Sequence, residues 1–310
     1  MAGFFDFVML IVSVVVSLAI MVPLTGTLVR FRANFNPKGL GLDPEDGTVP
    51  HTGPVVTSYF TMLARVYRIE GWNGLYKGLM PTIVTTMGMS LFILLLVNET
   101  TRHSIYRPPS EAGVLSSLFY SIFSCLVSLP AAIITCRSIT TPYKLPWFQP
   151  VKSLRVLLTP TEMRRPWVLY TTASGGLLYS QVLHIFFVVG FLGPLQRLLV
   201  SRDDFSAWKF SIYVLVVIIA TAVLTPLEVV STRLAIQRNL AADYDTVAQD
   251  PDSEPEFAGV EEDVIGLRNE SDPYMGLMDS IKRIIEEEGT AALYRAWWLT
   301  MLSGLMGGFV

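Results

Sequence analysis

Six stretches of roughly twenty or more mostly apolar residues divide the chain, at about 7–30, 79–98, 113–137, 172–200, 207–233 and 291–310. In helical form, about 20 such residues cross the ~30 Å hydrocarbon layer of a bilayer. Backbone groups inside lipid must find their partners within their own segment, so each stretch reads as a helix and the set as a bundle. Composition agrees with this. Of the 310 residues, 51% are hydrophobic and only 16% charged, which is too apolar for a soluble domain of this size. The first stretch lacks a basic leading region and continues through Pro23 to Arg30 and Arg32, so it reads as a retained span and not a cleaved leader. With no Arg-rich transit peptide, a mitochondrial address would have to be internal.

Within these runs one pattern recurs. "PLTGTLVR" from Pro23, "PAAIITCR" from Pro130 and "PLEVVSTR" from Pro226 each place a proline seven residues before an arginine. The prolines lie 107 and 96 residues apart, so the period is close to one hundred residues. A second element follows each in phase: "EGWNGLYKGLMP" at Glu70, the weaker "RRPWVLYTTASGG" at Arg164 and "EEGTAALYRAWW" at Glu287, aligned on the "LY" pairs at Leu75, Leu169 and Leu293. Between proline and "LY" lie amphipathic pieces, "SYFTMLARVYRIEG" from Ser58, "VKSLRVLLTPTE" from Val151 and "YMGLMDSIKRIIEEEG" from Tyr274, spaced as helices lying in a membrane interface. The expected architecture is an all-α membrane protein of six transmembrane helices in three pseudo-threefold repeats with short loop-side amphipathic helices. The repeats span 1–105, 106–203 and 204–310, the last carrying an acidic insertion at about 238–273.

Orientation follows from Lys and Arg. Loops after the odd spans hold about 14 and those after the even spans about four, so the odd-side loops and their helices should face the negative compartment. Pairs of small residues four apart, Ser13 with Ser17, Ser124 with Ser128 and Gly304 with Gly308, suit close helix packing. Cys125 and Cys136, about 16 Å apart on one helix, cannot form a disulfide. The scattered His51, His103 and His184 suit loop or packing roles better than metal ligation.

These features together resemble the mitochondrial carrier family over nearly the whole chain. That family repeats a signature of proline, acid, base and second base, followed by a loop helix and an acid–glycine element; "PLEVVSTRL" with "LYRAWW" and "EGWNGLYKGLMP" match it closely. The resemblance implies proline-kinked odd helices, here at Pro23, Pro130 and Pro226, and ion pairs between signature acids and bases that close the matrix side. This sequence departs from that pattern. Acid positions hold Thr25, Ala132 and Glu228, first-base positions hold Leu28, Thr135 and Ser231, and the second bases survive as Arg30, Arg137 and Arg233. Glu228, Arg30, Arg137 and Arg233 are therefore the gate residues the resemblance implies. A plainer reading of the arginines is that they cap helix ends or reach headgroups. At the outer end, Glu99 and Arg102 resemble a gate pair shifted by one residue, the fourth span ends without an acid, and the sixth stops at Val310 short of its outer-gate segment.

Counting ten residues on from each "LY" leucine, the resemblance places substrate contacts at Thr85, Tyr179, with Ser180 beside it, and Ser303. None is charged, which suits a small, weakly charged or zwitterionic ligand better than a nucleotide or multivalent carboxylate; the alternative is plain packing. The acidic insertion reads as a solvated linker without calcium-loop spacing. No catalytic constellation, metal or cofactor site appears, so no enzyme is expected.

Two functions are expected. One is a solute carrier moving a small metabolite across a mitochondrial membrane, inner in preference to outer, by alternating access. It would act as a monomer in the bilayer, with anionic lipid at the loop-side helices and no nucleic-acid partner. The other is a carrier-fold scaffold of the outer membrane that no longer transports, serving fusion or lipid organisation.

Overall fold

The computed structural model of the protein describes residues 4–37, 56–102, 113–146, 149–200, 206–239, 257–258, 263–270 and 272–306. His51, His103, Gly308, much of the acidic insertion and the side chains of Glu99 and Arg102 lie outside the described residues. Among the described residues the protein is helical, with one isolated bridge between Tyr143 and Phe257 and no strand.

Three long helices carry the prolines: α1 (Phe4–Ala33), then, after α2 (Tyr59–Leu75) and α3 (Leu79–Arg102), α4 (Val114–Thr140). The short α5 (Pro150–Leu157) and α6 (Pro160–Arg164) and a 3₁₀ stretch at Pro166–Gly175 lead to α7 (Gly176–Ile185). A π-helical segment, Phe186–Leu192, joins α7 to α8 (Gly193–Leu199). The third long helix, α9 (Ala207–Ile236), precedes α10 (Leu277–Glu287), α11 (Thr290–Leu293) and α12 (Trp297–Met306). Among the described residues, four segments are long and apolar enough to cross a membrane: Val12–Ala33, Val114–Thr140, Pro166–Leu199 and Ala207–Ile236. A shorter apolar helix covers Leu79–Leu91. The three amphipathic pieces fold as α2, α5 with α6, and α10.

The prolines and the "LY" tyrosines recur together for a reason in backbone chemistry. A proline inside a helix has no N–H, so the carbonyl four residues earlier loses its donor. Those carbonyls belong to Ala19, Leu126 and Ala222, and the hydroxyls of Tyr76, Tyr170 and Tyr294 donate to them at 3.1, 3.0 and 3.2 Å. Each tyrosine supplies what its proline removed. The Tyr170 bond is part-buried and the other two are exposed, so water can replace the latter more readily. Tyr170→Phe should therefore lower stability by about 0.5–1.5 kcal/mol, and Tyr76→Phe and Tyr294→Phe by less. Thermal unfolding in detergent measures the three midpoints; equal or absent shifts would sink this account.

Apolar cores sit around the loop-side ends of the long helices. One joins Ile133, Val230 and Leu234 to Leu169, Leu177 and Ile284; another joins Phe31 to Met62, Val66 and Leu75. Gly176 opens α7 hard against the start of α10, where an added Cβ would lie 2.8 Å from the Leu277 nitrogen. Gly304 likewise lets α12 approach α9, its carbonyl accepting from the Tyr213 hydroxyl at 3.0 Å.

Part of the acidic insertion corrects the expectation of a solvated linker. Val264 and Ile265 are buried in the core that contains Phe31 and Met62. Backbone bonds fix the segment: the Phe35 N–H donates to the Gly266 carbonyl at 2.8 Å, and the Gly266 N–H to Asn34 Oδ1 at 2.9 Å. Arg65 donates to the carbonyls of Val264 and Asp263 at 3.1 and 3.0 Å. Two adjacent apolar residues in an acidic segment are enough to dock it, because burying them is favourable and the backbone groups beside them are paired.

Candidate functional site

The loop-side end is closed by a bond pattern that repeats at all three arginines. Arg30 donates to Glu70 Oε2 at 2.6 Å and to the Ile139 carbonyl near the end of α4 at 3.0 Å. Arg137 donates to both oxygens of Glu162 at 2.7 and 3.0 Å and to the Ala235 carbonyl near the end of α9 at 3.2 Å. Arg233 donates to both oxygens of Glu288 and to the Arg32 carbonyl near the end of α1 at 3.1 Å. Each arginine thus pairs with the glutamate that precedes its own "LY" element and reaches a carbonyl two residues beyond the next arginine. Helix ends leave carbonyls without intrahelical donors, and here the guanidinium of the neighbouring long helix satisfies one of them. The three arginines are 2, 3 and 6% exposed, so these are buried, charge-neutralised joints and not headgroup contacts.

Second donors complete the joints. Lys77 donates to Glu70 Oε1 at 2.6 Å and to the Thr141 carbonyl at 2.8 Å; Arg295 donates to Glu288 Oε2 at 3.0 Å and to the Asn34 carbonyl. The middle unit has Thr171 where these bases stand, and Asn239 takes the role, donating to Glu162 Oε1 from its backbone N–H at 3.0 Å and its amide at 3.1 Å. Glu162 also serves as the capping-box residue of α6, accepting from the Thr159 N–H at 3.0 Å. Burial by itself would raise the Glu162 carboxyl, but the paired bonds and charge of Arg137, with the N–H groups of Asn239 and Thr159, hold it below the ordinary carboxylate range.

Glu228 lies apart from these joints. Its Oε2 accepts from Arg32 at 2.5 Å and from the Thr300 hydroxyl at 2.6 Å, and Arg32 also donates to that hydroxyl oxygen at 3.0 Å. Its Oε1 meets His184 Nε2 at 3.1 Å. One carboxylate therefore gathers α1, α7, α9 and α12. Arg32 is 7% exposed, and its Nε is buried without a partner. Glu228 and His184 keep side-chain exposures of 23 and 28%, so water reaches the cluster from their side.

Sequence reasoning named Glu228 but not its partners. Its signature partner position holds Leu28; the base that meets it, Arg32, stands one helical turn later on α1. The polar pairing of α9 with α1 is thus retained by a shifted residue. His184, read as a packing residue, contacts the carboxylate.

The expected contacts on the even helices fall differently. Helices α3 and α12 begin four residues after Leu75 and Leu293, whereas α7 begins seven after Leu169. The extra residues lie in a turn where Ala173, Ser174 and Gly175 have φ of 48, 53 and 80°, against single positive-φ residues Gly78 and Ala296 in the other units. Thr85 and Ser303 therefore share an offset from their helix starts that Val182 holds in α7, while Tyr179 stands at the offset of Thr300. The Thr85 hydroxyl donates to the Pro81 carbonyl at 2.6 Å, and Ser180 is fully buried with its hydroxyl donating to the Leu177 carbonyl at 2.9 Å. Tyr179 is 67% exposed and Ser303 is exposed. Among the described residues no group of His, Cys, Asp and Glu is arranged to hold a metal ion.

Residues 207–310, the C-terminal third, match the family model described as mitochondrial carrier protein. A search of curated proteins gave no match. Members of the matched family are solute transporters of mitochondrial membranes.

Proposed function

We propose that this chain belongs to the mitochondrial carrier family and moves a small metabolite across the inner mitochondrial membrane by alternating access, as a monomer of six transmembrane helices in three repeats. The observation that carries the reading is the Glu228 cluster. A carboxylate and guanidinium inside an apolar bundle are costly to keep and commonly mark solute pathways, and unlike the three buried joints this pair keeps a water-exposed side. In this reading Arg32–Glu228 is the gate link that breaks and remakes, because two hydrated charges and one closed pair are close in energy. Arg30, Arg137 and Arg233 hold the helix ends, and gating at their level breaks the carbonyl bonds to the next helix while each glutamate stays with its own arginine. Thr85 and Ser303 contribute substrate contacts from α3 and α12, with Tyr179 and Ser180 supplying the α7 side. The basic loop side faces the matrix, and the exposed Lys and Arg of α2, α5 and α10 meet anionic lipid there.

Uptake into liposomes carrying the purified protein tests this against a panel of amino acids, carboxylates, nucleotides and phosphate. Movement of at least one compound, lost in Glu228→Gln, is the expected result. No movement by a protein that still unfolds cooperatively would favour the outer-membrane scaffold.

A further inference from the structure

Charge balance around Glu228 narrows the ligand. The cluster holds one guanidinium and one carboxylate in direct contact, with a hydroxyl and an imidazole at the carboxylate's remaining positions. The arginines of the loop-side joints are already neutralised, Arg30 by Glu70, Arg137 by Glu162 and Arg233 by Glu288, and α12 carries no charge. Arg32 and Glu228 carry opposite formal charges, so the pair itself has no net charge.

A ligand that enters must separate Arg32 from Glu228 and replace what each loses. A simple anion would satisfy Arg32 and strand the carboxylate; a simple cation would do the reverse. Leaving the buried Arg32 guanidinium unpaired, or Glu228 with only part of its hydration, costs more than the ligand's own contacts return. A molecule with a carboxylate and a protonated amine a few atoms apart replaces both partners at once.

We propose that Arg32 and Glu228 form the binding site for a zwitterion of the α-amino-acid type, a proposal that rests on the carrier reading above. The ligand carboxylate takes Arg32, including the Nε–H that now has no partner, and its ammonium takes the Oε2 that Arg32 vacates. Thr300 and His184 hold Glu228 in place through the exchange, each from a different helix. Thr300 touches both charges, so it also fixes their separation while the site is empty of ligand.

The test uses the full chain in liposomes and the twenty L-amino acids one at a time, beside citrate, ADP and phosphate. For the amino acid moved fastest, the N-acetyl form removes the positive charge and the amide form removes the negative one. Each derivative should move at least about tenfold more slowly than the parent. Glu228→Gln and Arg32→Gln should lose uptake while retaining a cooperative thermal transition in detergent. Equal transport of the N-acetyl or amide form overturns the proposal. Movement confined to citrate, ADP or phosphate also overturns it and leaves the carrier reading standing; movement of nothing, by a folded protein, removes both.

Discussion

Glu162→Leu is expected to destabilise the protein by about 3–5 kcal/mol, because it strands the buried Arg137 guanidinium that now has a two-oxygen partner. Against a usual net stability of about 5–15 kcal/mol, this is a large fraction of what keeps a chain folded. The double variant Arg137→Met/Glu162→Leu should recover much of the loss, since it removes both charges and leaves apolar groups of similar size. A double variant as unstable as the single one would show that the helix-end carbonyls, and not the pair, need the guanidinium. The same carboxyl sets an acid limit. Its folded pKa is depressed, so its contribution is full above the unfolded value near 4.3 and declines as pH falls through that value toward the lower folded one. Thermal midpoints measured from pH 7 down through that window should fall more steeply in the wild type than in the double variant.

The second large effect belongs to the shifted pair. Arg32→Leu and Glu228→Leu should each cost about 1.5–3 kcal/mol, as losses of charge-assisted hydrogen bonds at the inner edge of a bundle. Their combination should cost less than the two single losses added, with a coupling of about 0.5–3 kcal/mol. Glu228 is more exposed than Glu162, so the coupling should fall at the lower part of that range and weaken with salt. Strict additivity would mean that the two residues do not act on each other in solution. All three variants should fail in the uptake assay.

Much of this arrangement is legible in the sequence. Apolar runs of spanning length and the paired recurrence of proline and "LY" pointed to the helices and their order. The reason for the pairing is not, because a tyrosine hydroxyl meeting a carbonyl four residues before a proline is a contact between segments 44 to 72 residues apart. Arg32 escaped notice because it stands outside the signature spacing, one turn past the apolar Leu28. His184 carried no local mark of its role. The displacement of α7 by three residues was hidden in "TTASGG", since only Gly175 of its three positive-φ residues belongs to the type that favours that region. In the insertion, the dense Asp and Glu content outweighed "VI" at Val264 and Ile265, although two apolar neighbours were the segment's anchor.

The tyrosine contacts bear on how the bundle can move. Proline ordinarily leaves a soft point in a helix, a joint at which the halves flex independently. Here each soft point is fastened to the segment that starts the following apolar helix: α1 through Tyr76 ahead of α3, α4 through Tyr170 ahead of α7, α9 through Tyr294 ahead of α12. Lower down, arginine and glutamate of the same unit are clasped together, while each arginine crosses to the next unit only through main-chain oxygens, with Asn239 adding a side-chain link to Glu162. A helix pair locked at two heights swings as one lever. In the proposed transport cycle, opening would therefore turn three stiff arms against one another, with travel concentrated at the seams between them.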